Sequence, residues 1–131
     1  MAKKAEAAKA SSHELEQGKV CAILSYLLVG IIWYFADEKM KKNSYVKFHA
    51  KQGLVLLIFS IAIWIVERIL FSMFFNPFSW GAWGAIGLLG TIFWIVGLAE
   101  LVLVIIGIVN AANGNQKPLP IIGGFASKLN F

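Results

Sequence analysis

Two long apolar runs stand out in the pattern of hydrophobic and polar positions along the chain. The first covers residues 53–75 and carries two charges, Glu67 and Arg68, and the second covers residues 82–109 and carries one, Glu100. A helix of about 20 apolar residues is long enough to cross the hydrocarbon core of a bilayer. The pattern therefore predicts two membrane-spanning helices in an integral membrane protein.

A third apolar segment, residues 20–36, is shorter than the other two. Its 17 residues would form a helix about 26 Å long, slightly less than the ~30 Å thickness of the hydrocarbon core. It is predicted to span the membrane, and the alternative is a re-entrant segment that turns at Gly30. The predicted fold is thus an all-α bundle of three transmembrane segments in a single membrane domain, residues 1–131.

The remaining segments are polar or interfacial. Residues 1–19 precede the first segment and mix alanine with charges of both signs. The helix of the first long run is predicted to begin near Tyr45 and to end at Asn76–Pro77, because proline cannot continue it. Residues 110–131 form a tail that is predicted to be interfacial, docked on the membrane or on the bundle. Its apolar residues with helical spacing are Ile121, Ile122, Phe125 and Leu129.

The basic residues are unevenly placed. Eleven of the twelve are lysines, and all eleven lie outside the long apolar runs. Five of them lie between the first two segments and none lies between the last two, so the positive-inside rule places this first loop and the C-terminus in the cytoplasm. Three spans would put the N-terminal lysines on the opposite side, whereas a re-entrant first segment would leave every lysine in the cytoplasm. The charge pattern leaves both topologies open.

Composition restricts the possible chemistry. Hydrophobic residues make up 59% of the chain, so little length remains for a catalytic domain outside the membrane. No catalytic set, phosphate-binding loop or metal-ligand spacing is visible, so no enzyme activity, cofactor or metal is expected. Cys21, the single cysteine, cannot form a disulfide within the chain and is predicted to be a small packing residue.

Glu67, Arg68 and Glu100 are candidate functional residues because an ionisable group in hydrocarbon usually has a partner, a cavity or a role in transport. Adjacent helix residues point about 100° apart, so Glu67 and Arg68 are not expected to pair with each other. One interpretation is a polar path or proton-linked site between the helices. The other is that Arg68 extends to the interface while the glutamates are protonated or paired in another subunit.

Lys47, His49, Lys51 and Gln52 lie in the two turns that precede the first long run. They are predicted to sit in the headgroup region, where they could contact lipid phosphates or an acidic partner. Anionic lipids are favoured over nucleic acid, since a nucleic-acid surface would more often use arginine.

Two stretches resemble the Tic-twenty-like family of small prokaryotic membrane proteins: residues 45–56, with the string Phe-His-Ala-Lys-Gln, and residues 106–123, which end in Leu-Pro-Ile-Ile-Gly. The family is named for a component of the chloroplast inner-envelope import machinery and includes magnetosome-membrane proteins. The resemblance covers about residues 20–131. It implies three or four membrane helices, and a role in protein translocation or in organising a membrane assembly. The implied signature positions are Phe48, His49, Gln52, Pro120 and Gly123.

The sequence supports three functional hypotheses. The first is a non-enzymatic scaffold or accessory subunit of a prokaryotic inner-membrane assembly, packing through the glycine-rich last span and the lysine-rich first loop. The second is a small oligomeric channel or transporter that uses the intramembrane charges. The third is a protein that binds anionic lipids and organises the membrane. The expected partners are lipids and either further copies of the chain or a larger complex.

Overall fold

The computed structural model describes residues 12–74 and 80–129, which are mostly helical and contain no strand. The elements are α1 (Ser12–Leu24), a first 3-10 turn (Ser25–Leu27), α2 (Val29–Ala36), α3 (Glu38–Lys42), α4 (Ser44–Phe74), α5 (Trp80–Ala112) and a second 3-10 turn (Gly123–Lys128). The all-α prediction is confirmed for these residues. The predicted turn at Asn76–Pro77 lies outside them.

Two helices are long and apolar enough to cross a membrane, Ser44–Phe74 and Trp83–Ala112. They contain both long apolar runs of the sequence. In their most apolar windows 11% and 6% of the residues are buried, whereas the central helix of a soluble domain would be mostly covered. The two helices are antiparallel neighbours. The Tyr45 hydroxyl, at the start of α4, reaches the Ala111 carbonyl at the end of α5, whereas the Phe71 ring, near the end of α4, lies 6.4 Å from that of Phe93, earlier in α5.

The third predicted span is not confirmed, because residues 20–36 do not form one helix. The backbone breaks at Leu28, whose φ of 72° is strained for a residue with a side chain. Beyond the break, α2 folds back on the end of α1: a Cβ on Gly30 would lie 2.3 Å from the Cys21 carbonyl oxygen. The eight residues of α2 extend about 12 Å, too short to cross a bilayer.

The loop before α4 is ordered by side-chain caps. Asp37 accepts a hydrogen bond from the backbone N–H of Lys39 at 2.9 Å and begins the short helix α3. The Asn43 side-chain oxygen accepts from the backbone N–H groups of Tyr45 and Val46. This N-cap satisfies two donors that the first turn of α4 would otherwise leave unpaired.

The tail docks on the bundle rather than extending as a separate α-helix. Gly114, with a φ of 75°, turns the chain after α5. The second 3-10 turn then lies along α4, where the rings of Phe125 and Phe59 are 5.6 Å apart. Ile122 is buried, whereas Ile121 is 95% exposed.

Burial divides the molecule into two parts. Every residue that the structure shows as buried lies within residues 12–56 and 107–129, which we call the head. The rest of the two long helices, residues 57–74 and 80–106, is called the hairpin. In the head, α1 and the first 3-10 turn pack against the beginning of α4 and the end of α5. The hairpin extends from this packed end as two helices with exposed apolar surfaces.

Candidate functional site

A buried hydrogen-bonded chain crosses the head and centres on His49. Its Nε2 lies 2.9 Å from the Asn115 carbonyl oxygen and its Nδ1 lies 2.7 Å from the Tyr26 hydroxyl. Because a carbonyl oxygen can only accept, Nε2 carries the proton, and in the neutral ring Nδ1 accepts from the hydroxyl. His49 thus links the first 3-10 turn, α4 and the tail.

Gln52 holds the tail onto α4 one turn further along. Its Nε2 donates to the Gly123 carbonyl at 3.1 Å, and its Oε1 accepts from the Leu119 N–H at 2.9 Å. Glycine fits position 123, because a Cβ there would lie 2.8 Å from the Gln52 Oε1 and 2.9 Å from the backbone of Pro118. Both polar atoms of this buried amide are therefore used for attachment of the tail.

Four of the five implied signature residues meet at the joint between α4 and the tail. His49, Gln52 and Gly123 form or border the bonds described above, and the Phe48 ring packs edge-to-face beside His49. Pro120 lies outside this joint, on an exposed turn where its carbonyl accepts from the Ile122 N–H. The four residues at the joint have a structural role, since the polar side-chain atoms of His49 and Gln52 are hydrogen-bonded within the chain.

A pocket of about 440 Å³ opens between α4 and the tail. Lys47 and Lys51, one helical turn apart, contribute its positive charge, and Gln52, Gln116 and Ser127 contribute uncharged polar groups. The sequence predicts that His49 lies in the lipid headgroup region together with the two lysines. The structure separates it, because its ring points into the head towards Tyr26 and Asn115 and does not line the pocket.

The three intramembrane charges lie on the hairpin. Glu67 and Glu100 line a groove of about 370 Å³ between α4 and α5, together with Ser60 and apolar side chains. Glu100 has one carboxylate oxygen, Oε1, that is buried without a hydrogen-bond partner among the described residues. Arg68 points elsewhere, with its guanidinium 5.4 Å from the centre of the Trp64 ring. Within residues 12–74 and 80–129, neither Glu67 nor Arg68 forms an ion pair.

Sequence reasoning missed several polar residues of the head. Tyr26, Tyr45 and Asn115 were not among the candidates, although each supplies or receives a buried hydrogen bond. A partial signal was present, since Tyr45, His49 and Gln52 recur at helical spacing and so share one face of α4. Their partners in α5 and the tail lie 66 to 71 residues away along the chain, a distance that periodicity cannot reveal.

In the described part of the chain, potential metal ligands do not cluster and the cysteine is buried. No group of three or more His, Cys, Asp or Glu side chains there could hold a metal ion. Cys21 is fully buried, and its Sγ donates to the Gly30 carbonyl at 3.4 Å. The thiol therefore has a packing and bonding role at the fold-back of α2.

Two exposed apolar helices that extend from a packed head are typical of a small helical membrane protein. The chain belongs to the magnetosome magnetite crystal formation protein family (MamF/MmsF), whose model matches residues 15–126. The assignment to the Tic-twenty-like family is wrong, and the translocation role that it implied is not supported. Apart from one short string, that resemblance was mostly hydropathy, which many small membrane proteins share. Comparisons with curated proteins and with solved structures gave no match.

Proposed function

We propose that this protein is a non-enzymatic accessory subunit of the membrane assembly in which magnetite crystals form. Family membership supports the connection with crystal formation. The hairpin supports the role of a subunit, since it offers a large apolar surface and charged groups that have no ion pair within the described residues. In this proposal the hairpin packs against copies of the chain or against another membrane protein.

The observation that carries the proposal is the absence of burial along the hairpin, where no side chain that the structure describes is buried. Lipid can cover the apolar side chains, but it cannot satisfy Glu67, Arg68 or Glu100 deep in hydrocarbon. Within the hairpin, α5 also contains Gly84, Gly87, Gly90 and Gly97, and a Cβ added at any of them would meet nothing within 4 Å. Small residues of this kind allow another helix to approach closely in lipid.

The same proposal includes a topology. A broken first segment that enters and leaves from one side would put the head, the first loop and the tail in the cytoplasm. All eleven lysines would then lie on the cytoplasmic side of a prokaryotic membrane, as the positive-inside rule favours. A protease-sensitive tag at the N-terminus should be cut in inside-out vesicles and protected in right-side-out ones. The reverse result would restore a three-span topology.

The functional test uses a magnetite-forming host in which this chain is removed and then restored. We expect removal to change the size or number of crystals seen by electron microscopy, and the unmodified chain to restore them. Photo-crosslinkers at Ile95 or Leu98 on the hairpin should capture a membrane protein, whereas one at Lys42 on the head serves as the matched surface control. Normal crystals without the chain would refute the role in crystal formation, and no hairpin adduct would refute the role of a subunit.

A second candidate is a small oligomeric channel or transporter. The groove that contains Ser60, Glu67 and Glu100, with its unpartnered carboxylate oxygen, favours it. Protein in liposomes should then conduct cations, and Glu67→Gln or Glu100→Gln should abolish the flux. No flux, or a flux that these variants leave unchanged, would eliminate this candidate.

A further inference from the structure

Glu67 and Arg68 are opposite charges on adjacent residues of α4 within the hairpin. Glu67 is 14 residues beyond Gly53, where the long apolar run begins, and so lies about 21 Å further along the helix, inside a hydrocarbon core of ~30 Å. Neither side chain forms an ion pair within residues 12–74 and 80–129. Adjacent side chains point about 100° apart, so each charge remains open to an opposite charge on another chain.

Both charges border one open face of α4, which is centred on Trp64. At about 100° per residue, Trp64 lies between them around the helix, about 60° from Glu67 and about 40° from Arg68. Its side chain is 55% exposed, and the Arg68 guanidinium is 5.4 Å from the centre of its ring. Trp64 and Glu67 also line the groove between α4 and α5. The face therefore carries an acid on one side, a base on the other and an aromatic ring between them.

A second copy of the chain matches this arrangement of charges. Copies inserted in one membrane share a topology, so a symmetric pair is related by a two-fold axis along the membrane normal, and each residue lies at the same depth in both copies. When the two Trp64 faces meet across that axis, Glu67 of each copy faces Arg68 of the other. The two residues differ in depth by only about 1.5 Å, so both ion pairs can form together.

We propose that the hairpin forms a parallel two-fold dimer in the membrane, held by reciprocal Glu67–Arg68 ion pairs on either side of Trp64. The dimer depends on the proposed role of the hairpin as a subunit surface, and its partner there is a second copy of this chain. Glu100 lines the same groove as Glu67, and its Oε1 is buried without a hydrogen-bond partner among the described residues. This carboxylate adds negative charge on the side of the face that receives Arg68 of the second copy.

Charge reversal tests the pairing with two differently tagged copies, expressed in one membrane and captured through one tag in mild detergent. The unmodified chain should retain its second copy. Glu67→Arg alone or Arg68→Glu alone should weaken self-capture by about tenfold or more, because like charges then meet in the membrane. Co-expression of Glu67→Arg with Arg68→Glu should restore capture, since each chain supplies the charge that the other lacks. The double reversal Glu67→Arg/Arg68→Glu should also self-associate.

Two controls separate this face from the rest of the surface. Glu38→Arg reverses an exposed acid of the head and should change self-capture less than about twofold. Trp64→Cys should form a disulfide between copies when an oxidant is added, whereas Ala62→Cys should not. Ala62 is also exposed, but it lies about 160° away around α4. Circular dichroism checks that each variant is folded.

The outcomes distinguish the dimer from the broader role of the hairpin. Self-capture that all reversals leave unchanged, or a folded mixed pair and a folded double reversal that both fail to associate, would overturn the dimer. If tagged copies never associate while a photo-crosslinker at Leu98 captures a different membrane protein, the subunit role stands and the second copy is the wrong partner. If neither is captured, both proposals fail.

Discussion

The head and the hairpin are built on the same two long helices but use their residues in opposite ways. In the head, buried polar groups such as Tyr45, His49 and Gln52 each have a partner within the chain. In the hairpin, Glu100 has a buried oxygen without a partner among the described residues, and many apolar side chains are exposed. The comparison indicates that the head is complete as a single chain, whereas the hairpin is suited to lipid and to a further protein surface.

The largest predicted effect on stability follows from removal of the Gln52 amide. Gln52→Leu preserves the size of the side chain but leaves the Leu119 N–H and the Gly123 carbonyl buried without partners, at a cost of about 2–5 kcal/mol in the free energy of unfolding. The tail should then become sensitive to protease at a lower temperature. Gln17→Leu, on an exposed position of α1, is the control and should change the unfolding little. An undiminished melting temperature for Gln52→Leu would show that the tail is not held by this amide.

The second prediction compares the same substitution in the two parts of α5. A Cβ at Gly107 would lie 2.3 Å from the Tyr26 ring, so Gly107→Ala should destabilise the head by about 1–3 kcal/mol through overpacking. At Gly87 a Cβ would meet nothing within 4 Å, so Gly87→Ala should be neutral or stabilise the helix by up to about 1 kcal/mol. Denaturant unfolding in detergent measures both. Equal effects at the two sites would remove the distinction between a packed head and an open hairpin.

The smallest predicted effect is a pH dependence at the edge of the head. Hydrogen bonds from the Lys39 N–H and then from the Trp33 indole hold the pKa of the Asp37 carboxyl below its usual range. A lowered pKa in the folded state means that the stabilisation is present above the unfolded pKa of about 4 and is lost as pH falls through the folded value.

Amide exchange in α3 should therefore speed up below the pKa of the unfolded carboxyl. The variant Asp37→Asn serves as the control, because it keeps one acceptor but does not titrate. Its exchange rates, corrected for the intrinsic effect of pH, should stay flat through the same range. If the exchange rates of the unmodified chain were equally independent of pH, Asp37 would have no role in holding the cap.

Much of the hairpin and part of the head could be predicted from the sequence. Length and hydropathy located both long helices, because a spanning helix is a local property of some 20 consecutive residues. The break at Leu28 gave no such signal, since leucine rarely adopts a positive φ. Beside the break, Gly30 lies close to the Cys21 carbonyl, a contact that forms only in the folded chain. His49 and Gln52 stood out in the sequence, but their hydrogen bonds depend on tail residues that only the folded chain brings near.

We propose that the hairpin requires a protein partner and that the head does not. The direct measurement is the mass of the protein extracted from its native membrane into lipid nanodiscs, compared with that of Glu67→Gln/Arg68→Gln. We predict a complex of several copies, or of the chain with another membrane protein, that the double variant weakens without unfolding the head. A lone chain of 14.4 kDa, with the same mass in both proteins, would contradict the account.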